Sequence, residues 1–144
     1  MIKAENLMAG DWIKCGPNNR IVSEINMNTI TTDCRYISNY DKIEPIPLSK
    51  DLMDANFELD EGYYDEYFKE KGILPYKMLF TATYPDGSTM KNYWHLLYNT
   101  NINELRIEDD PCIYVKYVHE LQHMLRLMGQ RGDIKLVYNP NNPT

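Results

Sequence analysis

The chain has 144 residues, 43% of them hydrophobic and 25% charged. That composition suits one globular domain or two small packed subdomains and argues against wholesale disorder. It carries 21 acidic against 15 basic residues, a formal net charge of −6, and the ten acids and four bases between Asp41 and Lys71 account for the whole excess. This balance disfavours general nucleic-acid binding, which draws its affinity from Lys and Arg displacing counterions.

No run approaches the roughly 20 apolar residues of a membrane helix, and Met1-Ile-Lys-Ala-Glu-Asn6 lacks the apolar centre of a signal peptide. Cys15, Cys34 and Cys112 are odd in number and far apart, without a C-x-x-C pair. Reduced, structural thiols in a cytoplasmic protein are therefore expected.

In chain order, Leu7 to Asp11 reads as a turn and Trp12 to Cys15 as a strand, followed by a second turn at Gly16-Pro-Asn-Asn19. Arg20–Asn26 and Thr29–Cys34 are rich in β-branched residues and are joined at Asn26-Met-Asn28. Strands this short and closely spaced predict an SH3-like β-barrel or a bent meander over residues 1–47.

The prolines in Ile43-Glu-Pro-Ile-Pro-Leu48 keep that stretch extended. Ser49 should cap a short helix to about Ala55. A second helix is predicted from Asp60 to Lys71, with Tyr63, Tyr64, Tyr67 and Phe68 on one face and Gly72 at its end. Residues 48–72 thus form an acidic helical connector.

Tyr76–Tyr84 and Ser88–Asn99 flank Pro85-Asp86-Gly87 as a hairpin. Ile102–Glu108 and Cys112–Lys116 add strands, and a helix is predicted from Tyr117 to Met128, stopping at Gly129. Asp133–Tyr138 is a further candidate strand, so residues 73–138 read as an antiparallel sheet packed by one helix, with 139–144 a flexible tail. The class is α+β.

One motif could carry chemistry. His119-Glu120-Leu121-Gln122-His123 matches H-E-x-x-H, in which two histidines one helical turn apart share a zinc ion and the glutamate deprotonates its water. A catalytic zinc needs a third protein ligand, and beyond His123 the chain offers no His or Glu and only Asp133. On a helical wheel His119 and His123 fall between Lys116 and Arg126, so a dication would sit among fixed positive charges. An amphipathic helix with a mixed polar face explains the same residues. Phosphate-binding glycine loops and the G-x-S-x-G elbow are absent. Cys15 or Cys34 would be a nucleophile only through a spatially accidental histidine, and Trp12 and Trp94 read as core rather than base-stacking platforms.

Gly10-Asp11-Trp12, Pro45-Ile-Pro-Leu-Ser49 with Leu52 and Asn56-Phe57, and Tyr117-Val-His-Glu-Leu-Gln122 together resemble a family of small uncharacterised proteins encoded by gut anaerobic bacteria and their phages. The resemblance spans about Leu7 to Met128. That family's last motif reads Y-V-H-x-L-Q, with Gln common in place of Glu120 and Asn common in place of His123. The resemblance therefore implies a structural helix and no cofactor. This chain departs from the pattern in lacking a Gly between Asn56 and Phe57.

The expectation is a non-catalytic interaction or accessory module, encoded by a phage or mobile element, that meets a protein partner or a second copy of itself. Tyr63, Tyr64, Tyr67, Phe68, Lys116, His119, His123 and Arg126 are its candidate contact residues. The acidic connector should either lie near the Lys116/His119/His123/Arg126 face or recruit a basic partner. Two alternatives remain: a zinc hydrolase using His119, His123 and Glu120, and an acidic mimic of nucleic acid.

Overall fold

A computed structural model describes residues 2, 4–108, 110–128 and 132–136. They form two five-stranded antiparallel sheets and three α-helices, a mixed α+β protein, in two compact units: Met1–Pro47 with Tyr117–Thr144, and Leu48–Lys116.

The first unit holds β1 (Trp12–Cys15), β2 (Asn18–Ile25), β3 (Thr29–Thr32), β4 (Ile37–Asn39) and β5 (Ile43–Glu44) in the order β4-β3-β2-β1-β5. Alternation places Ile13, Cys15, Val22 and Ile30 on one face, where they pack with Ile2, Leu7 and Ile43 and with half-buried Tyr40. A register shift between Val22 and Glu24 bends β2. β4 and β5 lie at opposite edges of the sheet although only the 3-10 turn Tyr40–Lys42 separates them, so the sheet is strongly curved.

Of the two expected forms the bent meander is found. Among the described residues β4 pairs with β3 and β5 with β1, and the two edges do not close into a barrel.

α3 (Val118–Leu127) belongs to this unit and packs against β1. A sheet-packing helix was expected, but the sheet it meets is the N-terminal one. Of the candidate strand at Asp133–Tyr138, residues 133–136 form no ladder; Ile134 is buried instead and its carbonyl accepts the Trp12 indole N–H (2.9 Å). The predicted helix stop at Gly129 and the tail at 139–144 lie outside the described residues.

The second unit contains α1 (Lys50–Asn56), β6 (Glu58–Leu59), α2 (Glu66–Lys71), β7 (Ile73–Thr83), β8 (Thr89–Asn99), β9 (Glu104–Ile107) and β10 (Asp110–Val115), with sheet order β10-β9-β8-β7-β6. Ser49 caps α1 by accepting the Leu52 N–H (3.1 Å), as its sequence position predicts.

The predicted 60–71 helix is shorter than expected. Residues 60–63 form a turn, closed by Tyr63 N–H on the Asp60 carbonyl, and Asp65 restarts the chain as the N-cap of α2 through the Phe68 N–H (3.1 Å). The connector is consequently helix, strand, turn and helix, and Tyr63 and Tyr64 precede α2 rather than sharing its face.

The register of the second sheet separates its faces. Tyr76, Met78, Leu96, Tyr98, Leu105 and Ile107 are buried on one side, and Tyr76 Oη donates to Asp54 Oδ1 of α1 (2.6 Å). On the other side Phe68 from α2 packs on Ile73 and Leu97, flanked by Tyr63 and Tyr64. Beside that small cluster the second face carries His95, Glu104 and Arg106, and further along the strands Leu79 and Tyr93.

Candidate functional site

The H-E-x-x-H helix is tied to Gly10-Asp11-Trp12 by side chains more than a hundred residues away in sequence. Gln122 Oε1 accepts the Trp12 N–H (2.8 Å), while Nε2 donates to the carbonyls of Gly10 (2.9 Å) and Gly132 (2.8 Å). One buried amide thus satisfies three backbone groups that no ladder reaches.

The Asp11 side chain is fully buried. Its Oδ2 accepts from the Met8 N–H (2.8 Å) and lies 2.7 Å from His123 Nε2, and its Oδ1 accepts from Arg126 Nη1 (2.8 Å). Two glycines make room for the guanidinium: a Cβ on Gly10 (φ +93°) would lie 3.1 Å from Arg126 Nη2, and one on Gly132 would lie 2.5 Å from Nε.

Of the motif residues, Glu120, Gln122 and His123 therefore have structural partners. Glu120 sits at the third position of α3, and its Oε1 accepts the Tyr117 N–H (3.2 Å). His123 is committed to Asp11. His119 is 6% exposed, with Nδ1 unpartnered among the described residues, and burial pushes its imidazole below the usual histidine range.

Among the described residues no group of three or more His, Cys, Asp or Glu could hold a metal ion. The wheel puts His119 and His123 on the polar side of the helix, between Lys116 and Arg126. That side faces the Gly10–Trp12 turn, so His119 and the neighbouring Gln122 are buried and His123 is half-buried. The carboxylate that balances His123 and Arg126 is Asp11, a turn residue with no periodic signal in the sequence. Lys116 pairs with Glu104 (3.6 Å). Of the aromatic candidates, Phe68 is buried, Tyr63 and Tyr64 are half-buried, and Tyr67 is exposed beside Lys71.

A second polar constellation lies on the second face of the β6–β10 sheet and was missed in the sequence. His95 of β8 places Nε2 2.9 Å from Asp60 Oδ2 and Nδ1 3.3 Å from Glu108 Oε2. The Tyr63 ring stacks on the imidazole (centroids 4.1 Å apart, 12° between planes), and its hydroxyl donates to Glu108. The His95 hydrogen bond holds the Asp60 carboxyl below the usual carboxylate range.

Because both ring nitrogens and one ring face are engaged, His95 offers a reacting group neither a free lone pair nor a free N–H. It braces the ends of β6 and β9 across the sheet. The only sequence signal was parity: His95 alternates with Tyr93 and Leu97 and so shares their face.

The third feature is the β7–β8 ribbon. Among the described residues β6 accompanies β7 only at Tyr76 and Lys77, and β9 pairs with β8 only from Leu96 to Asn99, whereas β7 and β8 stay paired to Thr83–Thr89. The distal half is thus a two-stranded arm bearing Leu79 (45% exposed), Tyr84 (45%), Met90 (45%) and Tyr93 (54%). Asp86 and Lys91 are its only charges between residues 79 and 93.

No protein-family model, curated protein or solved structure matches the chain.

Proposed function

We propose that the protein is a non-catalytic interaction module whose contact element is the distal β7–β8 arm. The observation that carries this reading is the arm itself: two strands extend beyond their sheet with four large apolar side chains exposed and almost no charge. A two-stranded ribbon is marginal alone in water, and a weakly charged edge is a template for another chain. The polar clusters support the same reading, since Asp11, Gln122 and His95 are occupied in holding backbone and strands together.

The resemblance to the proteins of gut anaerobes and their phages belongs to this proposal. It is supported by Gly10-Asp11-Trp12 and Tyr117–Gln122 joining through Gln122, a structural use of the helix. A cytoplasmic setting fits Cys15, a free buried thiol.

The test is association. Wild-type protein, alone and with host extract, should form a complex that the double substitution Leu79→Lys, Tyr93→Lys abolishes while the melting temperature stays within about 2 °C, as for surface changes generally. Retention of the complex at high salt would separate an apolar interface from one built on acidic residues 41–71. A complex indifferent to both substitutions, or no complex at all, would contradict the proposal.

A further inference from the structure

On the face of the β6–β10 sheet that carries His95, the residues Ile73, Leu97, Asn99, Ile102, Glu104, Arg106 and Tyr114 line an open cavity of about 210 Å³. Its apolar lining includes Ile73 and Leu97, the two residues that Phe68 also packs against. Arg106 stands between Leu97 on β8 and Tyr114 on β10 in the strand register, so its side chain rises from the middle of the site.

The two charged residues of β9 differ in how they are satisfied. Glu104 has Lys116 3.6 Å away, whereas half-buried Arg106 has neither an ion pair nor a side-chain hydrogen bond among the described residues. A guanidinium stays charged at any physiological pH and presents a planar fork of donors matching a carboxylate. Placed beside an apolar lining in a protein that is acidic overall, it is an unused anion-recognition group.

We propose that this cavity binds a small organic carboxylate, its acid group held by Arg106 and its compact apolar body lying on Ile73, Leu97 and Ile102. The volume falls below the roughly 300–1,000 Å³ of drug-sized sites. The fitting body is accordingly a branched aliphatic chain or a single ring. A simple carboxylic acid and an apolar α-amino acid both supply that chemistry, the second adding an ammonium group that Glu104 could accept.

The experiment titrates the ¹⁵N-labelled full chain with 4-methylpentanoate, with leucine and with uncharged 4-methylpentanamide. Saturable shifts of the Leu97, Arg106 and Tyr114 amides are expected with at least one of the two carboxylates. The stronger of the two identifies the source, and the amide should bind at least about tenfold more weakly, the loss expected for a charge-assisted hydrogen bond. Arg106→Gln should weaken carboxylate binding to a similar degree. Ile102→Trp, a substitution at a half-exposed turn residue, should block the cavity without disturbing the sheet. Equal binding of acid and amide, unchanged affinity in Arg106→Gln, or no saturable shift with either carboxylate would overturn the proposal.

Discussion

Asp11 is the buried anion that three groups of the first unit share. Its carboxylate is fully buried and serves Met8, His123 and Arg126 together, so Asp11→Ala leaves Arg126 and His123 without their anion. Breaking a buried pair in this way costs about 3–5 kcal/mol. Chemical denaturation should show that loss, and a double-mutant cycle with Arg126→Ala should return a coupling of roughly 1–3 kcal/mol.

Gln122 is the companion case. Gln122→Glu keeps the acceptor for Trp12 but removes the donors to Gly10 and Gly132, and each buried carbonyl left unpaired costs about 1–3 kcal/mol.

His119 should behave oppositely. Its buried Nδ1 is unpartnered among the described residues and burial depresses its pKa, so the folded protein binds its proton below the ordinary value of 6.5 while the unfolded chain binds it near that value. The contribution to stability is complete above about pH 6.5 and declines as the pH falls from there toward the depressed native value. His119→Leu should equal or exceed wild type in stability at pH 7.5, and it should flatten the decline measured between pH 6.5 and 5. A decline identical to that of wild type would contradict this account.

Among the elements, those with local signals were legible. Ser49 caps α1, the hairpin turns at Pro85-Asp86-Gly87, and α3 follows its apolar stripe, because each depends on residues within a few positions of one another. The Asp60–Lys71 helix was overextended because the aromatic spacing at Tyr63, Tyr64, Tyr67 and Phe68 imitates a helical face. Asp65 is the better local signal: its side chain closes the first turn of α2, and Asp65→Ala should destabilise the protein by about 1 kcal/mol. β6 and β4 are two and three residues long, and so short a strand is defined by its neighbour rather than by its own sequence. The contacts of Asp11 and Gln122 were hidden because they form only when α3 docks on the Gly10–Trp12 turn, and the Asp60–His95–Glu108 brace because its members meet only when distant strands take register.

For the whole molecule, five of the ten acids of segment 41–71 have partners within the fold, while Asp41, Glu44, Asp51, Glu61 and Glu70 lie exposed. Asp54 meets Lys50 and Tyr76, Asp60 meets His95, Asp65 caps α2, Glu58 meets Lys77 and Glu66 meets Lys69. Of the candidate cations, His123 and Arg126 pair with Asp11, and Lys116 lies 3.6 Å from Glu104. The distal β7–β8 arm adds four exposed apolar side chains with almost no charge beside them.

The measurement that tests its role most directly is amide hydrogen exchange, residue by residue, on the free protein and on the complex isolated with it. The interaction-module reading predicts that protection rises at residues 79–83 and 89–93 and stays unchanged along α3. Protection gained on α3, with the arm exchanging as freely as before, would contradict it.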